Sequence, residues 1–119
     1  MVAYSFKKEF ADAVETGAKR QTIRAPRQRH ARSGEPIQLY TGMRTKACRK
    51  LIDPDPVCVS IEPIRIKKPW VGLAGKVLDS YEVCELALAD GFANRDEFFE
   101  FFAGTPEWFE GVLIRWERR

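Results

Sequence analysis

Apolar positions recur with two periods along this chain, and they outline its elements. "AYSF" (residues 3–6) alternates and predicts a short strand. Over residues 7–18, Phe10, Val14 and Ala18 return at helical spacing beside Ala13, and Gly17 marks a helix stop. "KRQTIR" follows as an extended segment, and the Pro- and Gly-punctuated "APRQRHARSGEP" as a loop. "PIQLYTG" predicts a strand with Ile37, Leu39 and Thr41 on one face. "MRTKACRKLI" reads as a loop and a further strand. "VCVSIEPIRI" alternates, with Val57, Val59 and Ile61 on one side and Cys58, Ser60 and Glu62 on the other. "KKPWVGLAGKVLD" (residues 67–79) reads as irregular and then a strand. "SYEVCELALADG" predicts a helix capped by Ser80, with Val83, Leu86, Ala87 and Ala89 in phase. Asn94 caps a second short helix, whose Phe98, Phe99, Phe101 and Phe102 are expected in the core. "WFEGVLIRWER" closes the chain as a strand. Short strands dominate, with helices near the start and in the later middle. The fold class expected is α+β: one domain over residues 1–119, a small β-barrel-like sheet with flanking short helices.

Composition narrows the class. Of 119 residues, 45% are hydrophobic and 12% aromatic, enough for one packed core and unlike a disordered chain. No apolar run approaches the roughly 20 residues of a membrane span. The start, "MVAYSFKKEFADAV", lacks the pattern of a secretory signal. The expectation is a soluble cytoplasmic protein with no membrane partner. Three cysteines, Cys48, Cys58 and Cys84, give neither a disulfide framework nor, with the single His30, a usual zinc ligand set, so no metal is expected. Cys58 and Cys84 read as small buried hydrophobes, while Cys48 lies among cations in "RTKACRK".

The net charge of +3 conceals an asymmetry. From Lys19 to Lys50 there are ten Lys and Arg against Glu35 alone, and from Asp79 to Glu110 nine acids against Arg95 alone. A basic half of this density suits a polyanion, and nucleic acid is the usual one. Alternatively the halves attract each other across the fold, or the charges sit on solvated faces.

"GAKRQTIR" (residues 17–24) crowds Lys19, Arg20 and Arg24 around Thr22. A threonine hydroxyl becomes a nucleophile only when a base takes its proton, and lysine is a base only when burial or nearby cations lower its pKa. Arg20 and Arg24 are the cations at hand. On a regular strand Lys19 and Thr22 would point to opposite faces, so they meet only if Lys19 belongs to the helix end or a turn intervenes. Thr22 and Arg24 would share a face, and Arg24 could hold a carbonyl oxygen or a phosphate. Thr22 as an ordinary strand residue and Lys19 as a solvated lysine remain open. Asp90 stands at a helix C-terminus, where an acid opposes the helix dipole.

These residues resemble the ASCH domain, whose small β-barrel is related to the PUA fold of RNA-modifying proteins. The likeness spans nearly the whole chain. It rests on Gly17, Lys19, Thr22, Ile23 and Arg24, then the basic loop and "PIQLYTG", then "DGF" at Asp90 to Phe92 before "RDEFFEFF". One branch of that family removes the acyl group from N4-acylated cytidine, N4-acetylcytidine above all, with a lysine, a threonine and a later acid. The resemblance implies Lys19 as base, Thr22 as nucleophile and Asp90 as the acid, where that branch typically has Glu. The "YTGMRTKACRK" insertion also departs from the smallest members. The family includes RNA-binding modules and ribonucleases too, so its chemistry is not fixed by membership.

The leading expectation is therefore a hydrolase of N4-acylated cytidine with catalytic Lys19, Thr22 and Asp90, without cofactor. Arg24, Tyr40, Arg44 and Lys46 are the expected substrate-binding residues, and the partner is a nucleoside or RNA. A non-catalytic RNA-binding module is the alternative, or a ribonuclease using Tyr40, Lys46 and Lys19. Oligomeric state is not legible.

Overall fold

A computed structural model describes residues 2–104 and 108–119. Strand β1 (Val2–Phe6) leads into helix α1 (Lys8–Thr16) and strand β2 (Gln21–Arg24). Strands β3 (Ile37–Thr41), β4 (Arg49–Lys50), β5 (Val57–Lys67), β6 (Trp70–Leu73) and β7 (Lys76–Val77) follow. Helices α2 (Ser80–Ala89) and α3 (Arg95–Phe101) precede the last strand, β8 (Phe109–Glu117). Two sheets result among the described residues, one ordered β1-β3-β4 and the other β2-β8-β5-β6-β7. No described helix is long and apolar enough to cross a membrane.

Strand β8 is the axis of the molecule. It pairs antiparallel with β2 on one side and β5 on the other. Its successive side chains enter two cores. Ile114 and Trp116 pack with Tyr4, Phe6, Val14 and Leu39. Leu113 packs with Ile64, Ile66, Val83 and Phe98. A strand buried on both faces needs apolar residues at consecutive positions, which is why "VLI" interrupts the alternation. Each such side chain stabilises the fold by about 1.5–3 kcal/mol.

The α+β class is as expected; a closed barrel is not seen. The sheets are joined by one isolated bridge, Pro36 to Val57. On the opposite flank the free edges of β1 and β2 carry no ladder between them. Arg24 Nη2 donates to the Ser5 carbonyl (2.7 Å) and Arg27 Nη2 to the Ala3 carbonyl (3.3 Å). Two guanidinium groups thus satisfy acceptors of β1 that a neighbouring strand would otherwise take, and they bridge the two edges in place of a ladder.

Four local readings change. A bulge between Cys58 and Ser60 shifts the register of β5, so Val59 is exposed while Val57 and Ile61 are half-buried, contrary to the even alternation expected; Cys58 is buried, as expected. Residues 68–78 form two strands, β6 and β7, turned through Ala74 and Gly75 at positive φ. The N-cap of α2 is Asp79, not Ser80. Asp79 Oδ1 accepts from the Glu82 N–H (2.8 Å) and Glu82 Oε1 accepts from the Asp79 N–H (3.0 Å). Only Asp79 has a glutamate three residues on, as the reciprocal cap needs. Finally, Phe98, Phe99 and Phe102 are buried but Phe101 is 45% exposed. Cys84 is half-buried and Cys48 exposed.

Candidate functional site

The site begins where α1 ends. Gly17 adopts φ 89°, and the Lys19 N–H donates to the Ala13 carbonyl (2.8 Å), so the chain turns inward before β2 starts at Gln21. Lys19 therefore belongs to the helix exit, and the opposite-face problem does not arise. Lys19 and Thr22 line one cavity of about 420 Å³ together with Arg24 and Asp90. Lys19, Thr22 and Asp90 are all 4% exposed or less.

Asp90 caps the C-terminus of α2, an unfavourable place for a carboxylate by itself. Lys19 resolves this. Its Nζ donates both to Asp90 Oδ1 (3.1 Å) and to the Asp90 main-chain carbonyl (2.5 Å), so one ammonium faces the acid and the helix's carbonyl end together. Gln21 Nε2 adds a longer contact to the same Oδ1 (3.4 Å). Gly91, at φ 96°, lets α2 approach this closely: a Cβ there would stand 3.1 Å from Phe10 Cδ1 and 3.2 Å from Lys19 Cδ.

Burial pushes the Lys19 amine below its ordinary value, against the attraction of Asp90, with repulsion from Arg24 assisting. Burial likewise raises the Asp90 carboxyl, against Lys19. Both groups move toward the uncharged amine and acid, the state in which lysine is a base. Desolvation, and not the expected crowding by Arg20, is the main cause. Arg20 is exposed and does not line the cavity.

Thr22 sits on β2 with Arg24 two residues on, on the same face as expected. Arg24 Nε donates to Thr22 Oγ1 (3.0 Å), and its guanidinium lies 4.8 Å from the Phe6 ring centroid. A cation donating to a hydroxyl oxygen stabilises that oxygen as it loses its proton or gains negative charge. Lys19 and Thr22 share the cavity without a direct hydrogen bond; Lys19 bonds to Asp90 and Thr22 to Arg24.

The cavity wall was not legible beforehand. Phe10, Phe92 and Phe101 form a tilted and edge-on aromatic cluster, with Phe10–Phe92 centroids 5.4 Å apart and Phe92–Phe101 5.3 Å. Lys7 Nζ lies 4.9 Å from the Phe101 ring centroid. The one signal was geometric. At 100° per residue, Phe98, Phe99, Phe101 and Phe102 span roughly 160° of the helix, more than one narrow core stripe.

Tyr40, Arg44 and Lys46 do not line this cavity. Tyr40 is half-buried on β3, while Arg44 and Lys46 are exposed on the turn beyond it. His30 does not line this cavity either. Its Nδ1 accepts from the Tyr4 hydroxyl and its Nε2–H donates to the Ala25 carbonyl, each at 2.9 Å, and the Tyr4 oxygen accepts from the Ala31 N–H (3.0 Å). These bonds anchor the basic loop, and burial pushes the His30 imidazole below its ordinary pKa.

The charged halves do not neutralise each other. Among the described residues Lys19–Asp90 is the one ion pair joining them; Arg29, Arg49 and Lys50 pair with Glu35, Glu15 and Asp55.

No family model, curated protein or solved structure matches the chain. The cavity holds a hydroxyl that accepts from a guanidinium, a buried amine whose pKa burial lowers, a carboxyl whose pKa burial raises, and an aromatic wall. Among the described residues no group of three His, Cys, Asp or Glu is placed to hold a metal ion. The assembled groups suit a planar, uncharged ligand and an acyl- or proton-transfer reaction.

Proposed function

We propose that this chain is an ASCH-type amidohydrolase that removes the acyl group from N4-acylated cytidine. One observation carries the reading: Lys19, Thr22, Arg24 and Asp90 converge in one aromatic-walled cavity. The two sheets, joined at Pro36–Val57 and parted at β1 and β2, are in this reading an opened PUA-like barrel with the site in its gap.

In the proposed reaction the pyrimidine lies against Phe10, Phe92 and Phe101. Thr22 Oγ attacks the amide carbonyl carbon, and Lys19, as the free amine, accepts the hydroxyl proton. Arg24 supports the negative charge developing on oxygen. The C–N4 bond then breaks, N4 takes the proton from Lys19, and cytidine leaves an acyl ester on Thr22. Water then attacks the ester, giving up a proton to Lys19; the bond between the acyl carbon and Thr22 Oγ breaks, Lys19 returns that proton to Thr22 Oγ, and the carboxylic acid departs with both residues restored. Asp90 orients the amine and, while protonated, leaves it uncharged. An aspartate serves here in place of the family's glutamate because Lys19 also reaches the Asp90 main-chain carbonyl, which brings the two side chains together.

The test is cytidine release from N4-acetylcytidine by wild-type protein, Thr22→Ala and Lys19→Met. The reading expects turnover only in the wild type. Well-folded wild-type protein that leaves N4-acetylcytidine and related N4-acyl cytidines intact would overturn it. RNA binding without catalysis would be the reading left, because Arg44 and Lys46 carry no ion pair among the described residues. The ribonuclease alternative has less support, since Lys19 lines the cavity and Tyr40 and Lys46 do not.

A further inference from the structure

Two further hollows flank the cavity, and they differ in charge. One, of about 330 Å³, shares Phe10, Phe92 and Phe101 with the cavity and is bordered by Glu9, Glu97 and Glu100. The other, of about 670 Å³, shares Ser5, Phe6 and Lys7 with the cavity and is bordered by Lys8, Thr41 and Arg49, with Asp12 as its one acid. The 42–48 turn completes the second hollow through Gly42, Met43 and Ala47.

This turn is built firmly. Thr45 Oγ1 donates to the Gly42 carbonyl (2.6 Å) and accepts from the Ala47 N–H (3.1 Å), and a Cβ on Gly42 would come within 2.8 Å of the Ala47 carbonyl oxygen. Arg44 is held at φ 68°, the left-handed region that non-glycine residues seldom adopt. Lys7, Lys8 and Arg49 line the hollow, while Arg44 and Lys46 are exposed on the turn and do not line it. Among the described residues that line the hollow Asp12 is the one acid, and Glu15 pairs with Arg49. A ligand seated in the cavity thus meets cations past Lys7 and carboxylates past Phe101. An anionic substituent is drawn to the first side and repelled from the second.

We infer that the hollow lined by Lys7, Lys8 and Arg49 holds a phosphate group of the acylated cytidine whose base occupies the catalytic cavity. This rests on the amidohydrolase reading for the identity of the base. The phosphate could be that of a mononucleotide or of a polynucleotide backbone, since both present the same oxygens to the same cations.

The first measurement is calorimetric binding of cytidine and cytidine 5′-monophosphate to wild-type protein and to the Lys8→Gln/Arg49→Gln variant, whose melting temperature is recorded alongside. The phosphate should tighten binding by roughly tenfold in the wild type, as charge-assisted hydrogen bonds at a partly exposed site do. The variant should lose most of that advantage and keep its fold, since both residues are exposed. Equal affinity of the two ligands for the wild type, or an advantage undiminished in the folded variant, overturns the inference. The second measurement is kcat/KM for N4-acetylcytidine and its 5′-monophosphate. If neither is hydrolysed but the binding advantage and its loss are seen, the amidohydrolase reading fails and the phosphate site stands. If both are hydrolysed with equal kcat/KM and the ligands bind equally, the phosphate site fails and the amidohydrolase reading stands. Stronger competition by a short oligocytidylate than by the mononucleotide identifies the polymer as the source, and weaker competition the mononucleotide.

Discussion

Replacing Lys19 by methionine removes the main partner of a carboxyl group that is only 5% exposed. What remains for Asp90 Oδ1 is the Gln21 amide at 3.4 Å. Breaking a buried ion pair from one side costs about 3–5 kcal/mol, because the surviving group loses its partner and cannot reach water. A domain of this size has about 5–15 kcal/mol of stability in all, so the variant should be marginal. With each kcal/mol worth roughly 3–5 °C at this chain length, the melting temperature should fall by about 10–20 °C. Asp90→Asn should destabilise too, since it leaves the Lys19 amine facing only neutral acceptors. The double variant Lys19→Met/Asp90→Asn should regain at least about 2 kcal/mol over the sum of the two losses, as groups in direct contact couple. pH sharpens the test. Burial raises the folded pKa of Asp90 above its ordinary 3.8, so its contribution is fully present below pH 3.8 and is lost as pH rises through the raised value. Without Lys19 that loss deepens, so the deficit of Lys19→Met should shrink toward low pH. Thermal unfolding of the four proteins across pH 4 to 8, roughly the range over which raised carboxyls titrate, reads all of this. Single variants within about 1 kcal/mol of wild type, with no coupling and no pH dependence, would refute the claim that this pair is buried and mutually dependent.

Three other outcomes follow from the same structure. Thr22→Ala should abolish hydrolysis while costing only about 1–2 kcal/mol of stability for the lost Arg24 hydrogen bond, whereas Thr22→Ser should keep measurable turnover; paired kinetics and melts check this. Gly111→Ala places a Cβ 2.2 Å from the Arg24 carbonyl oxygen, so β2 must part from β8, and a loss of about 3 kcal/mol or more is expected in denaturant unfolding. Burial lowers the His30 pKa below 6.5, so its contribution is present above pH 6.5 and is lost as pH falls through the lowered value; His30→Asn should flatten that part of the stability profile.

The sequence revealed those parts of the fold that depend on local pattern. The alternation of β1 and β3, the helix of Phe10 and Val14, the stop at Gly17 and the cap at Asn94 all follow from neighbouring residues. What it concealed depends on contacts far along the chain. The bulge at Val59 arises from pairing with β8, which lies some fifty residues on. The gap between β1 and β2 depends on Arg24 and Arg27 reaching carbonyls of the first strand. The site was half legible. Lys19, Thr22 and Asp90 stood out as a family-like set, but their meeting needed α2 to end against α1 through Gly91. Phe10 and Phe101 looked like core residues because hydrophobic spacing does not distinguish a core wall from a pocket wall. Tyr40, Arg44 and Lys46 share the basic half of the sequence with Arg24 but not its cavity, because charge along a chain does not fix proximity in space.

The most direct measurement is a rapid-quench reaction of the protein with N4-acetylcytidine, following cytidine release and mapping acetylated peptides by mass spectrometry. Thr22 as nucleophile predicts cytidine release in the wild type, an acetyl group on the Thr22 peptide during early turnover, and neither in Thr22→Ala. Release at the wild-type rate by Thr22→Ala, or no release by folded wild-type protein, would contradict it.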